Sequence, residues 1–445
     1  RFLKCVQEDR VDINGLCFNF RNNQRIKVNS TGLVYASKFG LRKVTSQFLS
    51  LGAEPNITGS DGQTALMYAV KGGSKGIVGD LLKHGADVND QDREGRTAMW
   101  YALEKFYDDE YDLDLAVIQS LIHNGAYINT KSHMNTTLLM FAAREGNQTF
   151  VSELLKNGAH INSKDINGKT ILMYAAEGSN RDNIDALLEN GAKVNARDVE
   201  GKTPLTYAAE GANRDNIDAL LENGAKVNAR DEEGKTPLMY AAEGAGKDVV
   251  DALLKNGAEV NTQDKDGKTA LFYAVKESDV YWGDEKDAEI IIGNLLKHGA
   301  NISAKDGEGS TAMGYTVAEN IENIEYESDD SKQTPPLVNT LIENGADVNT
   351  KDAWNRTFLM VAAKKGKLAF LSNLLKNGAD INAEDKDEKT VLMYAAEGGN
   401  KAVIDALLKN GAAADINAQD VHGYTALIYA AEAGSLEAVT ALLKN

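Results

Sequence analysis

Cysteine is nearly missing. Cys5 and Cys17 are the two in 445 residues, too few for a disulfide framework. They leave the compartment open, with the cytoplasm slightly favoured and export not excluded. Long apolar runs are missing as well. None approaches the roughly 18 residues of a membrane span, and no secretory leader is visible, although a chain beginning at Arg1 is expected to be cut from something longer. With a net charge of −18 and no basic patch, nucleic acid is not an expected ligand. No Ser-His-Asp, Cys-His or paired-carboxylate arrangement stands out. Gly307–Ser310 (GEGS) lacks the Lys-Ser/Thr and preceding strand of a phosphate loop. His84, His123 and His298 each precede a Gly-Ala pair, where an imidazolium suits a helix C-terminus, and lie too far apart to share a metal. Neither catalysis, a metal nor a cofactor is expected.

What the chain has is one sentence written again and again. Gly234 to Asp264 reads GKTPLMYAAEGAGKDVVDALLKNGAEVNTQD. Its opening threonine recurs at Thr31, Thr64, Thr97, Thr137, Thr170, Thr203, Thr236, Thr269, Thr311, Thr357, Thr390 and Thr425, mostly 33 residues apart. That makes twelve repeats. Thr236 stands where its hydroxyl can cap a helix, and Pro237 follows at the first helical position, where its missing N–H costs nothing. A short helix of Leu238, Met239, Tyr240, Ala241 and Ala242 is predicted, broken by Gly244 to Gly246. A second helix is predicted from about Lys247 to Lys255, with Val249, Val250, Leu253 and Leu254 on one face and Gly257 as a left-handed stop. Ala258 to Asp264 and Lys265-Asp266-Gly267 read as extended residues around a turn. Two such helices cannot bury their own apolar face, so the units must stack into a solenoid.

These residues resemble ankyrin repeats, whose unit opens Gly-x-Thr-Pro-Leu-His-x-Ala and closes Gly-Ala-Asp-Val-Asn. GKTPLMYAAEG at Gly234–Gly244 and NGADIN at Asn377–Asn382 carry the likeness, over roughly nine tenths of the chain. The resemblance implies an all-α ankyrin-repeat solenoid, helix-turn-helix plus a hairpin-like loop per repeat. Two departures are visible. Met67, Met140, Met173, Met239, Met360 and Met393 stand in the His position, so the hydrogen bond that the family's His makes to the loop is expected to be absent. Proline is kept at this place only as Pro204 and Pro237. Tyrosine follows the Met position in ten of the twelve repeats. Because Phe141 and Val361 substitute there, bulk and apolarity are expected to matter more than the hydroxyl.

Residues 1–30 read as a degenerate half repeat followed by a loop, and 31–445 as the array. Repeats at Thr170 and Thr203 are near copies, which points to an array of variable length and so to a binding surface rather than an enzyme. Three insertions, near 105–114, 277–289 and 319–336, are expected at one place in the unit, the turn between its helices. Each of the segments Glu104–Asp114, Glu277–Glu289 and Glu319–Lys332 carries six acids and one lysine, so together they hold fifteen of the net eighteen negative charges. They also carry Tyr107, Tyr111, Tyr281, Trp282 and Tyr326. A basic partner would be steered to them. DDEYDLD at Asp108–Asp114 crowds oxygen ligands but lacks the glycine and terminal Glu of an EF-hand loop.

The family resemblance implies protein partners on a concave face of hairpin tips and first helices. The residues it selects are Lys164, Ile166, Asn167, Lys169 and Glu177; Arg197, Val199, Glu200, Lys202 and Glu210; Arg230, Glu232, Glu233, Lys235 and Glu243; then Gln263, Lys265, Asp266 and Lys268. Trp354, in the tip KDAWNR, is an anchor candidate. The expectation is a monomeric, non-catalytic protein-binding scaffold of bacterial flavour, without a membrane span. Two rivals stand beside it: the recognition part of a longer enzyme or exported effector, and a cation-responsive protein working through the acidic insertions.

Overall fold

The computed structural model describes residues 30–104, 115–132, 134–146, 148–178, 181–244, 246–276, 285–316, 336–412 and 416–444. The predicted half repeat and both cysteines lie outside these residues, as do most of the three insertions. The structure divides into two compact units, Arg1–Gly178 with Asp185–Lys193, and Ser179–Ile184 with Val194–Asn445.

In the second unit the reference repeat forms the two helices its pattern predicts, Pro237–Glu243 and Lys247–Lys255. Thr236 Oγ1 accepts from the Met239 amide at 3.4 Å. The Met239 sulfur in turn accepts from the Thr236 amide at 3.4 Å. The same reciprocal pair joins Thr64 to Met67, Thr357 to Met360 and Thr390 to Met393. The Met position therefore makes a contact of its own, to the helix start, because a thioether is a weak acceptor and the helix start offers it an orphan N–H. At Thr203 the Thr206 hydroxyl takes the sulfur's place at 3.3 Å. Threonine caps close this helix start with or without proline, which stands at the first helical position only in Pro204 and Pro237.

Leu238, Met239, Ala241 and Ala242 of the first helix and Val249, Val250, Ala252 and Leu253 of the second are buried. Each large aliphatic among them contributes about 1.5–3 kcal/mol on leaving water. Within each unit, first helices pack on first helices and second on second: Pro237–Glu243 lies against Pro204–Glu210 and Ala270–Lys276, and Lys247–Lys255 against Arg214–Glu222 and Glu285–Lys297. Single antiparallel bridges such as Lys164 with Thr170 and Lys305 with Thr311 are all the β pairing that the hairpins show among the described residues. At their tips glycine is demanded by geometry. Gly267 has φ +80°, and a Cβ there would come within 2.8 Å of the Gly307 amide nitrogen in the next hairpin.

Between repeats runs a side-chain interlock that the sequence reading missed. Asn228 donates from Nδ2 to the Gly257 carbonyl at 3.2 Å and accepts the Glu259 amide on Oδ1 at 2.9 Å. Asn56, Asn89, Asn129, Asn195, Asn261 and Asn349 do the same to their following repeats. The usual sequence offset of this bond is 29, but it is 36 from Asn89 to Gly125 and 38 from Asn261 to Gly299, across the first two insertions. Extra residues therefore leave the register of these repeats untouched. The second insertion also ends sooner than its sequence suggests: Glu285 to Glu289 already belong to a 13-residue helix, Glu285–Lys297. Acidic side chains suit a helix N-terminus, and Asp287 pairs with Lys247 at 2.8 Å.

His84, His123 and His298 each place Nδ1 2.7–2.8 Å from the carbonyl four residues back. Of the three, His84 and His298 stand directly before the Gly-Ala pair; after His123 that place is taken by Asn124, and Asn124, Asn223 and Asn256 make the same bond from Nδ2, so donation rather than charge is what the position asks for. Asn228→Ala is expected to lower the unfolding free energy by about 0.5–1.5 kcal/mol, read from urea denaturation. An unchanged midpoint would show that solvent replaces the interlock without loss.

Candidate protein-binding surface

The tip and first-helix face is built around an aspartate in most hairpins. Asp264 Oδ1 accepts the amides of Asp266 and Lys268, both at 2.9 Å, and so folds its own turn. Its Oδ2 accepts the Tyr273 hydroxyl at 2.5 Å and so ties the turn to the first helix. The pair recurs nine residues apart as Asp92–Tyr101 and Asp165–Tyr174 in the first unit. In the second it recurs as Asp198–Tyr207, Asp231–Tyr240, Asp306–Tyr315, Asp385–Tyr394 and Asp420–Tyr429. Tyr68 donates to Asp61 from a hairpin of different spacing.

The expectation that bulk and apolarity matter more than this tyrosine's hydroxyl is thereby corrected: the hydroxyl has a regular partner. Its two substitutions prove the rule. Where Phe141 lacks the hydroxyl, Ser132 replaces the aspartate, and its Oγ accepts the Met134 and Thr136 amides at 3.2 Å. Where Val361 stands, Asp352 is kept and Arg356 Nε takes its Oδ2 at 2.7 Å. In the first case the partner itself changes; in the second the aspartate is kept and an arginine supplies its donor, as Arg96 does for Asp92 beside Tyr101.

Electrostatics follows this geometry. Burial pushes the Asp92 carboxyl up, but the Tyr101 hydroxyl, the Arg96 guanidinium and amide and the Glu94 amide together hold it below the ordinary carboxylate range. Asp420 is likewise lowered, burial being outweighed by the Tyr429 hydroxyl and the Tyr424 and His422 amides. Burial and the Asp61 carboxylate push the Tyr68 hydroxyl up to about 12.

A lysine is laid over these rings. Lys235 Nζ sits 5.2 Å from the Tyr240 ring centre and 4.3 Å from that of Tyr273, and it pairs with Glu243 at 3.0 Å. Lys202 repeats the arrangement over Tyr207 and Tyr240 with Glu210, and Lys389 over Tyr394 and Tyr429 with Glu397. In the first unit Lys169 stacks on Tyr174 and pairs with Glu177. Side chains of these four lysines are only 13–22 % exposed. Three of the selected contact residues, Lys169, Lys202 and Lys235, thus hold the repeat together. Arg197 and Arg230 strap hairpin to hairpin, donating to the Arg230 and Gln263 carbonyls at 2.6 Å.

Other selected side chains stand outward. Lys164 is exposed and Ile166 is 48 % exposed in the first unit. Val199 (65 %), Glu200, Glu232, Glu233, Lys265, Asp266 and Trp354 (57 %) are exposed in the second. Val421, at 53 %, is an exposed tip residue that the sequence reading passed over. Its place in the hairpin, one after Asp420, is the signal that could have found it. Main-chain bonds hold neighbouring tips in register: the Glu232 amide to the Glu200 carbonyl, Lys265 to Glu233, Lys386 to Trp354 and Val421 to Asp387, at 2.7–3.0 Å. Tyr107, Tyr111, Tyr281, Trp282 and Tyr326, with DDEYDLD, lie outside the described residues. Among the described residues no helix is long and apolar enough to cross a membrane.

Tyr240→Phe removes one charge-assisted bond and is expected to cost about 1.5–3 kcal/mol, read from thermal or urea unfolding. Equal stability would mean that the hydroxyl is idle. Acid should unfold the array through the lowered aspartates Asp61, Asp92 and Asp420, whose stabilisation is present above their unfolded value of 3.8 and lost as pH falls through their lower folded values. Alkali should act on Tyr68 with the opposite sign, its stabilisation intact below 10 and lost as pH rises towards about 12. Tyr68→Phe should flatten the alkaline limb of a stability–pH curve, and an unchanged limb would refute the assignment.

No curated protein matches the chain significantly. The family model described as ankyrin repeats (3 copies) matches residues 33–131, 110–198, 139–231, 194–264, 230–306, 329–420 and 359–445, which tile nearly the whole of it. The chain belongs to the ankyrin-repeat family.

Proposed function

We propose that this array is a non-catalytic protein-binding scaffold and that its contact surface is the hairpin-tip and first-helix face of the second unit. Ankyrin repeats are in general protein–protein interaction modules, which gives the class of function. The placement of the surface rests on one observation. Val199, Trp354 and Val421 are large apolar side chains more than half exposed on tips whose backbones are clamped to their neighbours. Solvated apolar groups on rigid supports lose little conformational freedom on binding. Trp354 is also steadied by the Arg356 guanidinium, 4.7 Å from its ring centre, and aromatic side chains dominate the energetics of interfaces.

The charged tips serve selectivity rather than affinity. Arg197–Glu232 and Lys265–Glu233 approach only to 3.8 Å with exposed side chains, and exposed pairs of this kind are worth about 0–1 kcal/mol.

Affinity capture tests the proposal with three forms of the chain. One is intact, one carries Val199→Ser, Trp354→Ala and Val421→Ser, and one has its acidic insertions shortened to the regular turn. A partner held by the intact and shortened forms and lost from the tip variant is the expected result. Loss from the shortened form alone would move the surface to the insertions, and no specific partner for any form would overturn the scaffold reading.

A further inference from the structure

Neighbouring hairpins of the second unit are tied to each other by four kinds of link. A strap runs from the first residue of one hairpin to the carbonyl at the same place in the next: Arg197 to Arg230 and Arg230 to Gln263 at 2.6 Å, Gln263 Nε2 to Lys305 at 3.0 Å, Lys351 Nζ to Glu384 at 3.3 Å. The residue after the hairpin aspartate donates its amide to the preceding tip, as Glu232 does to Glu200 and Lys265 to Glu233. The asparagine interlock joins the loops behind the tips. Lastly, a hairpin lysine reaches over the tyrosine of the next repeat, as Lys202, Lys235, Lys268 and Lys389 do over Tyr240, Tyr273, Tyr315 and Tyr429.

Between hairpins 305–310 and 351–356 none of the four is formed among the described residues. Lys305 holds the strap's place but does not reach the Lys351 carbonyl, and the Ala353 amide does not reach the Glu308 carbonyl. Ser303 stands where Asn228, Asn261 and Asn349 carry the interlock. A hydroxyl is too short to bridge as an amide does, so the Gly345 carbonyl and the Asp347 amide, which an asparagine there would take, stay exposed. Ser310 replaces the lysine.

Both flanking pairs of hairpins are linked. From 263–268 to 305–310 run the strap, the Gly307 amide to the Asp266 carbonyl at 2.6 Å, Asn261 to Gly299 at 2.9 Å, and Lys268 at 5.5 Å from the Tyr315 ring centre. From 351–356 to 384–389 run the strap, the Lys386 amide to the Trp354 carbonyl at 3.0 Å, and Asn349 to Gly378 at 3.1 Å. The repeat between the unlinked hairpins is softened from within as well. Gly314 stands in its first helix where the repeats before and after have Phe272 and Met360, and glycine weakens a helix interior. A Cβ there would rest on Thr350 Cγ2 at 3.4 Å and the Lys351 carbonyl at 3.6 Å, so the following hairpin lies against a position without a side chain. Second helices stay joined across the same repeat: Pro336–Glu343 packs on Glu285–Lys297, and Asn373 donates to Asn339 at 3.2 Å.

We propose that the second unit has a hinge at this repeat, its second helices serving as the pivot and the tips of 305–310 and 351–356 parting or closing on the other side. Hairpins up to 310 move as one block and those from 351 onward as another. Val199 belongs to the first block, Trp354 and Val421 to the second, so the bend sets the distance between exposed apolar tips. Such a motion breaks no buried bond, and elements that move are drawn from the least tied parts of a fold.

Double electron–electron resonance between spin labels on exposed tips tests the hinge, in a chain with Cys5 and Cys17 changed to serine. One pair, Asp266→Cys with Asp387→Cys, spans the unlinked hairpins. The other, Glu200→Cys with Glu308→Cys, covers the same number of hairpin steps without crossing them. The first distance distribution should be broad and the second narrow. Ser303→Asn restores the interlock at an exposed position and should narrow the first, with a thermal melt no lower than the parent's. Amide exchange read by mass spectrometry gives a second measure: residues 345–352 should exchange about tenfold faster than the matching 378–385, and Ser303→Asn should slow them. Equal widths for the two pairs, equal exchange of the two loops, or a broad distribution untouched by Ser303→Asn would each overturn the proposal.

Discussion

A carboxylate with three donors aimed at it sets the geometry of nearly every repeat. Two of the donors are amides of its own turn and the third is a tyrosine hydroxyl on the following helix, as Asp264 shows with Asp266, Lys268 and Tyr273. Local bonds alone would fold the turn and leave it free to swing. The hydroxyl turns a local motif into a tertiary one, and a hydrogen bond to a charged group is worth about 1.5–3 kcal/mol where a neutral one gives about 1. Everything on the tip and first-helix face depends on this. The lysine over the rings has a fixed platform, main-chain bonds can join one tip to the next, and Trp354 or Val199 can stand in water without taking the backbone with it.

The fold was legible because the features that decide it are periodic. Threonine caps, glycine stops and the apolar stripe of Val249, Val250 and Leu253 are local signals, and repetition multiplied each one. The Asp–Tyr bond was harder to see, since its two ends sit nine residues apart in a loop and a helix, and either residue alone reads blandly, as a turn former or as core. The two substituted rungs hid it further, because a substitution looks like tolerance until its partner is inspected. Lys169, Lys202 and Lys235 were chosen as contacts for standing near the tips, yet a lysine's four-carbon stem can turn back as easily as outward. Only the ring beneath and the glutamate eight residues on decide the matter. Ile166, Val199 and Trp354 were easier, since they stand one or two residues after the hairpin aspartate, at the exposed tip.

Register between repeats follows a different logic. The interlock from Asn89 to Gly125 and from Asn261 to Gly299 joins the end of one repeat to the end of the next and leaves out whatever lies between. A repeat can therefore lengthen at its helix–helix turn without disturbing its neighbours. This is why the insertions need no compensation in the hairpins that precede and follow them. It also separates two ways of varying an array, by adding chain at the turn or by exchanging side chains on the tips.

Variation in the rungs is a third way, and it is constrained. Phe141 comes with Ser132, whose hydroxyl still folds the turn through the same two amides while asking nothing of the helix. Val361 comes with Arg356, whose guanidinium keeps the Asp352 carboxylate satisfied. Both solutions avoid an unpaired buried charge, which costs far more than the bond itself. They differ in what they leave behind. A phenylalanine fills the rung as tyrosine does, and Phe141 is buried. A valine is smaller but buried as well, and the arginine keeps the turn intact, so the rung changes without loosening the scaffold.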